Sequence, residues 1–267
     1  MNKEARFRKI IDGIKSVKIQ GANNIAKAAL EAYSLFPNEN TVRKLSSLRS
    51  TEPLVFNVLR KIKNTSKEKI LSYLENSQQK INENIFRIIE NGDVIFTHCH
   101  STTVVKALIY AKKKGKRFQV YSTETRPLLQ GRKTANDLVK NGINVEMFVD
   151  SAAMILFSGK QGVKKPSKFI IGADALTKEG VVNKIGSGMF AKMANENKIP
   201  VFIVSNSWKF TNERLKIEQR SYDEVWKEAP KNLKIKNFAF EQIDKKYITK
   251  IISELGVMSY NEFLNKN

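Results

Sequence analysis

The only cysteine of this 267-residue chain and its only two histidines are consecutive, in Thr97-His98-Cys99-His100-Ser101. The apolar run Val94-Ile95-Phe96 leads into this segment and a helical stretch, Thr102 to Lys114, leads out of it. Cys99 is therefore expected at the carboxyl end of a strand, where open α/β sheets bind ligands, and beside the positive end of a helix. That field, with nearby cations, is expected to lower the thiol pKa and favour a thiolate able to act as a general base. The competing role is that of a small buried hydrophobe, which is how a lone cysteine commonly packs. A metal site built from the three residues is disfavoured, because successive strand residues face opposite ways and Cys99 would turn from both imidazoles. The histidines are expected to pack or bond locally.

Further polar clusters follow later apolar runs: Thr123-Glu124-Thr125-Arg126-Pro127, Asp150-Ser151, Gly172-Ala173-Asp174 and, beyond the fourth run, Asn183-Lys184-Ile185-Gly186-Ser187-Gly188. On a parallel sheet these gather on one edge and describe a pocket holding a thiol, carboxylates, an arginine and a lysine. Glycines and a helix start near Met189 add backbone N–H groups for an anion. Asp174, after Phe169-Ile170-Ile171, is a carboxylate at the end of a buried strand. Such a group must be paired, hydrogen-bonded or protonated, and a raised pKa would suit a proton shuttle; bonding to its own loop is the alternative. Arg126 and Lys184 could clamp a phosphate, or form an ordinary ion pair with Glu124 or Asp150.

The elements that must hold these groups fall into two parts. Residues 1–90 carry apolar positions at helical spacing (Ile10, Ile14, Val17; Ile25, Ala28, Ala29, Ala32; Leu54, Val58, Ile62; Ile70, Leu71, Leu74, Ile81, Ile85, Ile88), punctuated at Gly21, Pro37 and Pro53. This predicts a helical N-terminal domain. Residues 91–267 carry short β-branched and aromatic runs at 94–97, 118–121, 145–149, 169–171 and 201–204, several separated by helical segments. That spacing predicts right-handed βαβ units, hence an α/β Rossmann-like domain with a mostly parallel sheet covered on both faces.

A hydrophobic content of 41% is enough to build a core. One cysteine and no long apolar run point to a reducing, cytoplasmic setting without membrane insertion, and no secretion signal is expected from the N-terminus. Forty-seven Lys and Arg against 26 Asp and Glu give a formal net charge of +21, which attracts polyanions without naming one. The basic run Lys112-Lys113-Lys114-Gly115-Lys116-Arg117 reads as a solvated loop, and no zinc spacing, aromatic-rich basic segment or recognition helix accompanies it. Specific nucleic-acid binding is not expected.

Taken in order, the motifs resemble the family that contains archaeal ribose-1,5-bisphosphate isomerase, methylthioribose-1-phosphate isomerase and the alpha, beta and delta regulatory subunits of translation initiation factor 2B. The resemblance rests on Lys18-Ile19-Gln20-Gly21-Ala22 with Ile25-Ala26, on Arg49-Ser50-Thr51-Glu52-Pro53 and on Thr97 to Ser101. It continues through Thr123 to Pro127 with Gly131-Arg132, Asp150-Ser151-Ala152, and Gly172-Ala173-Asp174 through Val182-Asn183-Lys184-Ile185-Gly186 to Trp208-Lys209-Phe210.

The resemblance implies that Cys99 and Asp174 are the catalytic pair of an isomerase, since the regulatory subunits usually lack that cysteine. It also implies that Gln20, Gly21, Ala22, Arg49, Ser101, Arg126, Gly131, Asn183, Lys184 and Gly186 bind the substrate or its phosphates. The wording Thr-His-Cys-x-Ser with Thr-Glu-Thr-Arg-Pro-x-x-Gln-Gly is closer to the ribose-1,5-bisphosphate branch. The implied reaction is conversion of ribose 1,5-bisphosphate to ribulose 1,5-bisphosphate by acid–base chemistry, without cofactor or metal; a hydride shift from C2 to C1 using the same residues is the alternative. Gln20 departs from the arginine typical of the isomerases, as Ser50 and Ser187 depart from proline and threonine. The alternative is a non-catalytic regulatory subunit that binds a nucleotide or sugar phosphate and a protein partner. Relatives form dimers through the Rossmann-like domain, and the isomerases hexamers, so a homo-oligomer is implied; control by a nucleotide monophosphate would suit an enzyme fed from AMP.

Overall fold

The computed structural model describes residues 2–16, 18–19, 21–48, 51–217 and 219–267. The chain opens with helices α1 (Lys3–Lys15), α2 (Ala22–Leu35), α3 (Glu39–Ser47), α4 (Pro53–Lys61) and α5 (Lys67–Ile88). Four follow the predicted apolar spacing. The sequence reading omits α3 because that helix buries only Thr41 and Leu45, too few positions to show a period; its start is fixed instead by Asn38, whose side chain accepts from the Thr41 N–H.

The remainder alternates strands and helices: β1 (Val94–Thr97), α6 (Thr102–Lys113), β2 (Gln119–Thr123), α7 (Gln130–Val139), β3 (Asn144–Phe148), α8 (Ala153–Ser158) and β4 (Lys168–Gly172). Then come β5 (Ala175–Leu176), β6 (Gly180–Lys184), α9 (Ser187–Glu196), β7 (Val201–Val204), β8 (Phe240–Asp244), β9 (Lys250–Ser253), β10 (Gly256–Met258) and α10 (Tyr260–Asn265). The main sheet has the order β10-β9-β7-β4-β1-β2-β3 and is parallel except for the β9–β10 pair. The fold is mixed α/β with a mostly parallel, Rossmann-like sheet.

Its strand order contains the feature that makes a site. From β1 the chain winds outward through β2 and β3, then returns to place β4 on the other side of β1. The connections leaving β1 and β4 therefore diverge and open a crevice beyond the carboxyl ends of the two strands. Thr97-to-Ser101 and Gly172-to-Asp174 flank it.

Alternation along the strands buries both faces of the sheet. Phe96, Phe169, Ile171 and Ile203 pack with Phe157 and Phe190 on one side; Ile95, Val120, Ile170 and Val204 pack with Val104, Leu108, Ile81 and Ile85 on the other. Helix α5 belongs to two cores: Ile70 and Leu74 pack with Ala26, Leu30, Leu54 and Val58, while Ile81 and Ile85 reach the sheet. Asn57 on α4 donates to the carbonyls of Trp208, at 2.8 Å, and Phe210, at 3.0 Å. These ties fix α2 and the residues after β7 over the same sheet edge.

The segment after β4 corrects the sequence reading. Asn183 and Lys184, read as part of a polar segment beyond the fourth strand, end a further strand, β6, the middle strand of a separate antiparallel sheet ordered β5-β6-β8. The helix expected near Met189 begins at Ser187.

Candidate active site

A pocket occupies the crevice. Its walls come from Gly21, Ala22, Asn23 and Ile25 at the start of α2, Glu52 before α4, His98 to Thr103 after β1, and Gln130 at the start of α7. Gly172, Ala173 and Asp174 after β4, Asn183 and Lys184 on β6, and Lys209, Arg220 and Phe240 complete it. The structure thus brings together Cys99, Asp174, Gly21, Ala22, Ser101, Asn183 and Lys184. Gln20 and Arg49 lie outside the described residues.

Three expected members are elsewhere. Arg126 is exposed, its guanidinium 3.4 Å from the Val225 carbonyl and its backbone N–H 2.7 Å from the Asp150 carboxylate. Gly131 is a packing residue: a Cβ there would lie 1.7 Å from the Thr123 carbonyl oxygen, and its N–H donates to the Glu124 carbonyl at 3.1 Å. Gly186 caps α9 beside His98, and the N–H of Gly188 in that helix start donates to Glu241 at 2.8 Å. An anion at α9 would compete with a carboxylate already seated there.

Cys99 sits beyond the strand, which corrects the alternation argument: its φ of 66° is left-handed. Non-glycine residues hold such backbone only where neighbours enforce it, at roughly 1–3 kcal/mol. Here the Cys99 N–H donates to Thr125 Oγ1 at 2.9 Å and its carbonyl accepts from Thr134 Oγ1 at 2.8 Å. Both restraining threonines come from the connection after β2 and from α7. Cys99 lines the pocket, as do His98 and His100.

Those imidazoles are committed locally. His98 Nε2 is 2.9 Å from the Ile185 carbonyl, which only accepts, so Nε2 carries the proton; Nδ1 then accepts from the Thr123 hydroxyl at 2.6 Å. His100 Nδ1 is 3.0 Å from Thr134 Oγ1. Burial lowers both imidazoles to about 4, so each is neutral at physiological pH.

The thiol reverses the expected direction. Burial pushes Cys99 up to about 11; the Lys184 cation opposes this, while the carboxylates of Asp174 and Asp150 add to it. The positive end of α6 does not lower it, because desolvation outweighs a dipole whose first turn is already capped by Ser101, accepting from the Val104 N–H at 3.4 Å. In the ligand-free protein Cys99 is a thiol.

Asp174 lines the same pocket, and with it comes a cation the sequence reading did not single out. Lys209 is buried and its ammonium donates to the Ala173 carbonyl. Burial lowers its pKa, and Asp174 and Glu52 oppose the fall. Lys184, also buried, places its ammonium 4.8 Å from the centre of the Phe240 ring. Asn183 donates to Ser187 Oγ at 2.9 Å, and Ser187 donates to the Lys184 carbonyl at 2.6 Å, which fixes the end of β6. Gln130 and Asn23 each leave a buried amide oxygen without a hydrogen-bond partner at the pocket wall, acceptors suited to ligand hydroxyls. Lys209 and Gln130 stand inside motifs quoted above and Asn23 lies beside one, but the sequence reading gave none of the three a role.

The site therefore offers a thiol and a carboxylate in one pocket, two buried lysines, a helix start at α2 without a side-chain cap and two unspent acceptors. This suits proton transfer on a small, polar, anionic molecule. Comparison with known proteins agrees with that chemistry. The ribose 1,5-bisphosphate isomerase of Methanocaldococcus jannaschii is 33% identical, with 94% of this chain and 91% of that protein covered. The methylthioribose-1-phosphate isomerase of Fervidobacterium nodosum is 31% identical over 98% of this chain and 89% of its own length. The crystal structure described as translation initiation factor eIF-2B of Pyrococcus horikoshii superposes with a TM-score of 0.83 at 28% identity, covering 95% of this chain and 97% of that one. With the profile of the Initiation factor 2 subunit family matching residues 18–260, the chain belongs to that family.

Proposed function

We propose that this protein is an aldose–ketose isomerase acting on a phosphorylated sugar, and that its substrate is ribose 1,5-bisphosphate. The observation that carries this reading is the placement of Cys99, after β1, and Asp174, after β4, in one pocket that Lys184, Lys209 and Arg220 also line.

The substrate's C1 bears phosphate, so the ring opens only if O4 is protonated as the C1–O4 bond breaks. Asp174, in its acid form, supplies that proton, and the Cys99 thiolate takes the proton from C2, leaving an enol phosphate. The pair is now a thiol and a carboxylate. Cys99 then returns its proton to C1 while Asp174 accepts the proton of the C2 hydroxyl, giving the ketone and restoring thiolate and acid.

The raised thiol pKa fits this cycle. Resting thiol plus carboxylate and reactive thiolate plus acid have the same charge and differ only in where one proton sits. A thiolate whose conjugate acid titrates at about 11 is a strong base for a C–H bond, and Lys184 steadies it. The N–H groups at the start of α2 hold one phosphate, and the pocket's lysines neutralise charge.

Phosphorus NMR of the purified protein with ribose 1,5-bisphosphate tests the proposal. Conversion to ribulose 1,5-bisphosphate, abolished in both Cys99→Ser and Asp174→Asn, is expected. Near-native turnover in either variant would remove the pair from the mechanism. Absence of conversion by a folded protein that ligand stabilises would instead select the regulatory role, and Gln20→Arg would then be the first change to make, because it adds the charge typical of the isomerases.

A further inference from the structure

Two of the polar clusters at the strand ends, Thr123 to Pro127 and Asp150-Ser151, contribute no residue to the pocket wall. They bond instead to each other and to Cys99. Thr125 is fully buried and its φ of 63° is left-handed, a backbone that a β-branched residue holds only where its surroundings enforce it. The enforcing group is Asp150, in the short helical turn Asp150–Ala152 that follows β3. One of its carboxylate oxygens accepts from the Thr125 N–H at 2.9 Å and the other from the Arg126 N–H at 2.7 Å. Two successive N–H groups converging on one carboxylate make a small anion cradle that the chain fills with its own side chain.

The turn so fixed reaches the thiol residue. Thr125 Oγ1 accepts from the Cys99 N–H at 2.9 Å and donates to the Thr123 carbonyl at 3.3 Å. With Cys99 at a φ of 66°, this hydrogen bond joins two residues that both hold unfavourable backbone. Strands β1, β2 and β3 are neighbours in the sheet, and the relay Asp150–Thr125–Cys99 runs across their carboxyl ends, taking one residue from each connection. Loss of an acceptor along it leaves Cys99 in a strained turn with a restraint missing.

We propose that Asp150 is a positioning residue for the reaction: through Thr125 it holds the left-handed turn at Cys99 and so sets where the thiol stands in the pocket, without itself touching substrate. The effect on turnover rests on the isomerase reading above; the effect on the thiol does not. Because neither Asp150 nor Thr125 walls the pocket, breaking the relay alters reacting geometry and leaves the grip on substrate in place, so the change falls on kcat and spares KM.

The test compares wild type with Asp150→Asn, Thr125→Val and Thr125→Ser. It reads kcat and KM with ribose 1,5-bisphosphate and, separately, the rate at which iodoacetamide alkylates Cys99, the chain's one thiol. Asn offers one N–H an oxygen and opposes the other with its own NH₂; Val keeps the shape of Thr without the acceptor, and Ser restores the acceptor. Asp150→Asn and Thr125→Val are each expected to lower kcat roughly ten- to hundredfold with KM within about threefold of wild type. Both should speed alkylation by about fivefold or more, as the thiol leaves its buried position, and Thr125→Ser should return kcat and alkylation to within about threefold of wild type. Ile199→Ala, which opens a cavity just before β7 at the opposite edge of the sheet, controls for general loss of stability and should alkylate as wild type does. Alkylation in folded Asp150→Asn and Thr125→Val within about twofold of wild type overturns the proposal whatever the activity, and so does equal acceleration in Ile199→Ala. In a protein that turns substrate over, a kcat for Asp150→Asn within about twofold of wild type overturns it as well. Where wild type turns nothing over, acceleration in both variants, reversed in Thr125→Ser, upholds the hold on Cys99 while the isomerase reading fails. If Asp150→Asn does not fold, Asp150→Glu, which keeps the charge and displaces the oxygens, takes its place under the same criteria.

Discussion

Gly172 and Ser101 touch across the β1/β4 crevice: a Cβ added to Gly172 would lie 2.5 Å from the Ser101 Oγ and 2.6 Å from its Cβ. Rotation could carry the Oγ away but not the Cβ, so Gly172→Ala must displace Ser101 and the start of α6, or the end of β4. Both carry the reacting groups. We expect a stability loss of about 1–3 kcal/mol, measured by urea unfolding, and a fall in kcat/KM of roughly a hundredfold, since a displacement near 1 Å disrupts reactive geometry. A variant as active as wild type would show that the two strand ends adjust independently.

Gly131 makes a closer approach, to backbone. With the Thr123 carbonyl oxygen 1.7 Å from the position of an added Cβ, Gly131→Ala must push α7 from β2. The loss of stability should equal or exceed the ~1–3 kcal/mol of ordinary overpacking. Thr134, which holds the Cys99 carbonyl, lies on the same helix, so activity should fall with it. An Arg126→Ala variant is the contrast: with its guanidinium exposed, stability should change by less than about 0.5 kcal/mol.

The titration of Cys99 follows from its surroundings. With the folded thiol at about 11, ultraviolet thiolate absorbance should rise only above pH 10, and alkylation by iodoacetamide near pH 7 should be far slower than for a free thiol. The sign of the linked stability is set by the unfolded thiol, which loses its proton near pH 8.5–9. Between there and about 11 the folded chain binds the extra proton, so this contribution is intact below that window and is lost as pH rises through it. A Cys99→Ser variant should lack that alkaline loss. Complete thiolate absorbance at pH 8 would contradict the assignment.

How much of this could be read from sequence depended on whether the signal was local. The strand Val94–Thr97 and the cluster after it were legible because an apolar run ends at the chain's rarest chemistry-bearing residues. β6 was not: Gly180 to Lys184 shows only two adjacent valines, and its stability comes from β8, far along the chain. Lys209 and Arg220 carry no periodic or spacing signal, and only the folded chain delivers their cations to the pocket. The thiol failed for a different reason. A helix start was correctly foreseen beside Cys99, but the magnitude of desolvation depends on what packs over the sulfur, which no local pattern encodes.

His98 ties the crevice to acid stability. Burial lowers it to about 4; Asp150, at 4.0 Å from Nδ1, and the Ile185 carbonyl oppose the fall without cancelling it, and Lys184 adds to it. The unfolded histidine binds its proton near pH 6.5. Between 6.5 and 4 the unfolded chain therefore holds a proton that the folded chain refuses, and stability falls as pH falls through that window. The difference corresponds to about 3 kcal/mol once pH reaches 4. Because the chain has only two histidines, proton NMR can follow both directly. The His98 ring resonances should stay fixed between pH 7.5 and 5.5, and the urea midpoint of wild type should drop between pH 7 and 5 more steeply than that of His98→Gln. A His98 midpoint near 6.5 would mean that its Nδ1 and Nε2 contacts do not exclude the charged form, and the neutral bridge from Thr123 to Ile185 that backs the Cys99 turn would have to be redrawn.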